Sequence, residues 1–196
     1  AELLAEMGWP RVSGGRTKVM ASSPLLRRWG VSGIYAAYTG EPNVVLPAAP
    51  TRLPFTVAHE RAHLAGVGPE DAANHIALLT VWRSERPEVR YSGWLALWTY
   101  LRIDPKGRHP GVLRDLRAIR RFLAEHRGRE APQVWRAYDH YLKAHGVKEG
   151  RRSYGRVARL ALSWLAREGL PEEPLEALAQ KEEERASRRD ESPASP

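Results

Sequence analysis

The chain has 196 residues, a formal net charge of +8, 42% apolar residues and no cysteine. That length supports one domain with a sizeable core. The missing cysteines exclude disulfides and thiolate-held zinc, so any zinc has to be held by histidine and carboxylate ligands, which suits a catalytic site.

No apolar run approaches the length needed to cross a bilayer, and no signal peptide is visible. The first residue is Ala rather than Met, so the chain is expected to be a piece of a longer protein whose preceding region can include a membrane segment. Seven Trp and seven Tyr against two Phe predict a core rich in the two larger aromatics.

Residues 1–7 are weakly amphipathic and predict a short helix stopped by Gly8 and Pro10. Residues 18–21 read as a short strand. Ser22-Ser23-Pro24 is a cap followed by a first-turn proline, predicting a helix over 24–29 that ends at Gly30. Residues 31–38 have strand composition. Thr39-Gly40-Glu41-Pro42 predicts a turn, residues 43–46 a second strand, and Pro47-Ala48-Ala49-Pro50 a stiff connector.

The connector delivers the chain to a helix opened near Pro54 that carries His59-Glu60-Arg61-Ala62-His63. Residues four apart share a helical face, so His59 and His63 can present two imidazoles to one ion. Glu60, one step round, can reach a water held by that ion, which is the HExxH arrangement of zinc peptidases. Phe55, Val57, Ala58 and Ala62 give the helix an apolar face, so it is expected to be buried, with Arg61 pointing away from the ion. Gly66 and Gly68 can end the helix and Pro69 can open the next. Glu70 then stands in a first turn facing back towards the ion as candidate third ligand. Asn74, one turn on, can hydrogen-bond a ligand from behind.

The rest is predicted helical, with prolines at starts and glycines at ends: 69–84, a helix from Pro87 to about Leu101, one from Pro110, then 131–145 and 152–168. From Glu172 the chain is a charged helix at most, and residues 187–196 are expected to be disordered. The domain reading is 1–169, with 170–196 an appended charged tail.

Five ordered blocks resemble the family catalogued as domain of unknown function 3810, HExxH proteins regarded as bacterial zinc metallopeptidases and usually membrane-bound. The blocks are Gly33-Ile34-Tyr35 leading into 39–44, then 53–60 through His63 to Gly66, Glu70-Asp71-Ala72-Ala73-Asn74, Arg90-Tyr91-Ser92-Gly93, and 138–143 continuing through Gly146 and Gly150 to Ser153-Tyr154-Gly155. They cover most of the chain, from about residue 23 to 165. The family often has a second acidic residue where this chain has Ala72. Were that residue the third ligand, Asp71 or a distant Glu88 would have to serve here. Glu70 is preferred, because it stands four residues before Asn74 as in the ExxxD/N signature of related peptidases. Relatives carry transmembrane helices ahead of this domain, which implies a membrane-associated full-length protein.

The fold class expected is α+β, predominantly helical: a zincin-like metallopeptidase domain with a small N-terminal β element and a helical C-terminal part. The expected function is zinc-dependent peptide hydrolysis with Glu60 as general base, acting on a peptide or protein substrate. Tyr91 and Tyr154, both in family-matching blocks, are the candidate donors to the oxyanion. The alternative is a catalytically silent metal-binding module of a membrane-associated assembly, which would need the ligands but no base.

Residues 43–45 are read as an edge strand able to pair with extended substrate. His75, His140 and His145 are read as structural or exposed. Arg114, Arg117 and Arg121 form a basic stripe opposite Leu113, Leu116 and Leu123, extended by Lys106, Arg108, Arg127 and Arg129. Such a face can meet anionic lipid or nucleic acid, and nucleic acid ranks low because no binding motif accompanies it.

Overall fold

The computed structural model describes residues 5–6, 8, 15–101, 109–144 and 154–169, with the side chains of 141–144 and 154–155 outside the description. It is an α+β arrangement, mostly helical, with one three-stranded sheet. Strand β1 (Lys18–Val19) precedes a short helix α1 (Ser23–Arg28) with Pro24 in its first turn. Strands β2 (Gly33–Ala36) and β3 (Glu41–Val44) form an antiparallel hairpin, and β1 pairs parallel to β3. The Lys18 ammonium and Glu41 carboxylate tie β1 to β3.

Two expectations change here. Glu41 and Pro42 belong to β3 and not to the turn, which occupies residues 37–40. The Val45 N–H donates to Ser32 O, so hydrogen-bonded pairs fall at Ser32/Val45 and Ile34/Asn43. The Tyr35/Pro42 pair, one step beyond Ile34/Asn43, is a non-hydrogen-bonded pair that needs no donor towards β2, so proline is tolerated. The strand order is β1-β3-β2, so residues 43–44 lie in the central strand; the edges are β1 and β2. The edge reading of residues 43–45 is therefore corrected to β2. Composition could not decide this, because strand order depends on which distant segment pairs with which.

Among the described residues six further helices follow: α2 (Leu53–Leu64), α3 (Glu70–Trp82), α4 (Pro87–Leu101), α5 (Pro110–His126), α6 (Ala131–Ala144) and α7 (Tyr154–Glu168). α2 ends where the Val67 N–H bonds back to Ala62 O and Gly66 adopts φ +91°, a left-handed conformation that glycine takes without strain.

α3 is apolar nearly all round, as a central helix must be, and packs against α2, α4 and α7. The main core joins Phe55 and Ala58 of α2, Leu78, Val81 and Trp82 of α3, Leu97 of α4 and Val157 of α7. Burying a side chain such as Leu78 contributes roughly 1.5–3 kcal/mol. A second cluster of Ala62, Ala65, Val67, Ala73 and Ile76 fills the corner between α2 and α3. Small side chains there let the two helices close tightly, which sets the direction in which Glu70 points. Arg156 Nε of α7 donates to Asp71 Oδ2 at 2.7 Å and fastens α7 to the start of α3.

The aromatic core is only partly as expected. Trp82 is buried and meets Trp94 and Trp164 at ring-centroid distances of 4.8 and 5.8 Å. The largest fully buried side chains are nevertheless aliphatic, among them Leu78, Val45, Val67, Val81 and Val157. In α5, Ile119, Val112, Leu116 and Phe122 pack on α4, while Arg114, Arg117, Arg121 and also Leu123 face solvent. α6 is held from the N-terminal side, where Trp135 Nε1 donates to Trp29 O at 2.6 Å and Arg28 Nε pairs with Glu130 at 2.9 Å.

Among the described residues, no helix is long and apolar enough to cross a membrane. Of the expected N-terminal helix, residues 5 and 6 are described and helical. His145, Lys106, Arg108 and the tail from 170 lie outside the described residues.

Candidate metal centre

Helix geometry sets the first pair. His59 and His63 stand one turn apart on α2, with their Nε2 atoms 3.2 Å apart and rings near perpendicular. The tight α2–α3 corner brings Glu70 over them, with Oε2 at 3.4 Å from His59 Nε2 and Oε1 at 3.7 Å from His63 Nε2. All three donors fit within 4.8 Å of one another. A tetrahedral zinc ion with bonds of about 2.0–2.2 Å spaces its ligands roughly 3.3–3.6 Å apart. The donor set therefore fits zinc in both chemistry and spacing.

The tautomers are half arranged for a cation. His63 Nδ1 lies 2.7 Å from Val67 O, so the proton belongs on Nδ1 and the Nε2 lone pair is free to ligate. His59 Nδ1 is buried without a hydrogen-bond partner. Burial works to lower the His59 pKa, but Glu70 and Glu60 beside it outweigh that and the net shift is upward. His63 goes the other way, lowered by burial and by its neighbour His59. Burial raises Glu70, yet its bond to His59 and the charges of both imidazoles bring it below the usual carboxylate value. His59 and Glu70 thus favour each other's charged forms, and positive charge at this point is what a bound cation would also supply.

Glu60 is separate from this triangle and only 4% exposed. Its pKa is pushed up to about 7, chiefly by burial, with His59 pulling down and Glu70 adding to the rise. A Cβ on Gly33 of β2 would come within 2.5 Å of Glu60 Oε1, so only glycine leaves room for the carboxylate. Tyr35, two residues on, faces the His63 ring with centroids 6.4 Å apart.

Asn74 supports the ligands from behind: its Nδ2 donates to Glu70 O at 2.7 Å, its Oδ1 accepts from Tyr100 OH at 2.8 Å, and its side chain also bears on His59, whose pKa it helps to raise. Burial raises the Tyr100 phenol far enough to keep it a neutral donor.

The alternative ligands are occupied elsewhere. Asp71 is bound by Arg156, and Glu88 pairs with Arg86 at 2.7 Å on the surface. Tyr91, expected to serve the oxyanion, donates its hydroxyl to Asp115 Oδ2 at 2.9 Å and packs with Ala49, Leu95 and Ile119. That bond joins α4 to α5. The Tyr154 side chain lies outside the described residues. Arg61 points away from the cluster and donates to Gly15 O at 3.2 Å. His75 lies on another face of α3, lowered by burial and by Arg167, and His140 is exposed.

Sequence reasoning assigned no role to four residues at this site: Gly33, Tyr35, Tyr100 and Tyr138. The Tyr138 hydroxyl of α6 reaches Glu70 Oε1 at 3.4 Å. Gly33, Tyr35 and Tyr138 all fall in blocks that carry the family resemblance, which was a usable signal. Tyr100 had none.

A family model described as a protein of unknown function, DUF3810, matches residues 5–162. No curated protein and no solved structure matches the chain.

Proposed function

The chain belongs to the DUF3810 family, whose function is unknown, and from the chemistry of its cluster we propose that it is a zinc-dependent peptidase of zincin-like fold. His59, His63 and Glu70 would hold the ion, three protein ligands with a fourth position for water or substrate. Bound there, zinc would supply Lewis-acid polarisation and a water acidic enough to ionise near neutral pH.

The observation that carries the reading is Glu60. A site that only holds metal has no use for a second, non-ligating carboxylate that is almost fully buried and accommodated by a glycine on the facing strand. Burial lifts its pKa to about 7 in the metal-free chain, and a nearby cation would draw it back towards the ionised form, the state in which it can accept a proton from water and pass it to a leaving amine.

The open edge of β2 offers a seat for extended peptide. Ile34 and Ala36 turn their main-chain groups to β3, so those of Gly33 and Tyr35 face the outer edge, where the Tyr35 main chain bonds the Glu60 carboxylate and an incoming peptide would lie beside Glu60 and His63. The family resemblance adds a nearby membrane to this reading. The exposed Arg114, Arg117 and Arg121 of α5 supply a basic face for its anionic headgroups.

The test is an unbiased peptide library incubated with the zinc-loaded chain, with a chelator control and Glu60→Gln in parallel. Cleavage that is chelator-sensitive and falls by roughly 100-fold or more in Glu60→Gln is expected. Robust cleavage that survives in Glu60→Gln would remove the assigned base. A fully metallated chain that cleaves nothing favours the silent metal-binding module.

A further inference from the structure

Glu70 sits in the first turn of α3, and its side chain has three rotatable bonds to order before it can ligate alongside two imidazoles fixed by helix spacing. Two tyrosines from distant parts of the chain converge on it. Tyr100 of α4 acts on the main chain, through Asn74, at 2.8 and 2.7 Å. Tyr138 of α6 acts on the carboxylate itself, at 3.4 Å from Oε1. The other oxygen, Oε2, is the one nearer His59, at 3.4 Å.

Taking the metal-centre reading as given, we infer that Tyr138 is a positioning residue of that centre: its hydroxyl engages Glu70 Oε1, turns Oε2 towards the imidazoles and thereby sets the affinity for the cation. The reason is general. A carboxylate ligand with one oxygen restrained by a donor loses less freedom on binding metal and is biased towards a single bonding mode. α6 is in turn anchored on α1 through Trp135 and Glu130, so the N-terminal segment and the metal site are joined through one helix.

The experiment compares the wild-type chain with Tyr138→Phe, which keeps the ring and removes the hydroxyl. Each is stripped of metal and titrated with Zn2+ against a chromophoric chelator. The expected result is a loss of zinc affinity of roughly 10- to 100-fold, with an altered Co2+ absorption spectrum because the carboxylate geometry changes. The melting temperature of the metal-free chain should stay unchanged. Tyr91→Phe, whose hydroxyl is bonded to Asp115, should retain wild-type affinity. Equal zinc affinity in wild type and Tyr138→Phe overturns the inference and leaves the metal-centre reading standing. So does a loss of affinity matched by a lower melting temperature, since packing is then what was removed. A wild-type chain that takes up no zinc overturns both.

Discussion

Replacing Glu60 by Gln should stabilise the metal-free chain at neutral and alkaline pH and leave it unchanged in acid. The carboxyl moves from 4.5 to about 7 on folding, mainly because burial penalises its charge. Below pH 4.5 both folded and unfolded states carry the proton, and Glu60 makes no pH-dependent contribution. Between 4.5 and 7 the unfolded chain ionises while the folded one stays protonated, so stability falls as pH rises. Above 7 the loss is complete. At about 1.4 kcal/mol per pH unit, the difference is worth roughly 3 kcal/mol.

Glutamine has nearly the same shape and cannot ionise, so the variant escapes this loss. Urea unfolding in the presence of a chelator, at pH 4.5, 6 and 8, measures it directly. The stability of Glu60→Gln minus wild type should be near zero at the first pH and rise to on the order of 2–3 kcal/mol at the last. Saturating zinc should narrow the gap at pH 8, because a nearby cation favours the ionised carboxylate. A difference that is flat across pH, or wild type being the more stable at pH 8, would refute the reasoning.

Three further variants each test a single contact. Glu70→Ala should abolish tight zinc binding in the same chelator competition. Asp71→Asn should leave it intact while lowering stability by about 1 kcal/mol, because Asp71 serves Arg156, whose half-exposed side chain limits the worth of the pair. Gly33→Ala places a methyl within 2.5 Å of Glu60 Oε1 and must displace the carboxylate. Peptide hydrolysis should fall by roughly 100-fold, with zinc stoichiometry unchanged by elemental analysis. A Gly33→Ala variant with full activity would show that Glu60 needs no fixed position.

The sequence by itself determined what is local. Four-residue spacing puts His59 and His63 on one helical face whatever the rest of the chain does, and Glu60 is carried beside them by the same geometry. Prolines and glycines mark most helix boundaries to within a few residues, because each acts on its own φ and its own N–H. The short connection over 65–69 brings Glu70 within reach of the imidazoles, since few paths exist for five residues that include Gly66, Gly68 and Pro69.

Only the tertiary structure decided what depends on segments far apart. The sheet order makes β2 and not β3 the edge beside α2, and strand composition is silent on order. Tyr91 has the same hydroxyl as Tyr138, and nothing in its neighbourhood along the chain shows that it turns to Asp115 while Tyr138, 68 residues from Glu70, meets the ligand. Asp71 and Glu70 are adjacent acids on one helix turn, yet the 100° between them sends one to Arg156 and the other to the histidines. The room for Glu60 is the absence of a side chain on another element, Gly33, and a pKa near 7 follows from that enclosure. Burial is a property of the packed whole, so the acid's identity was legible in the sequence and its proton affinity was not.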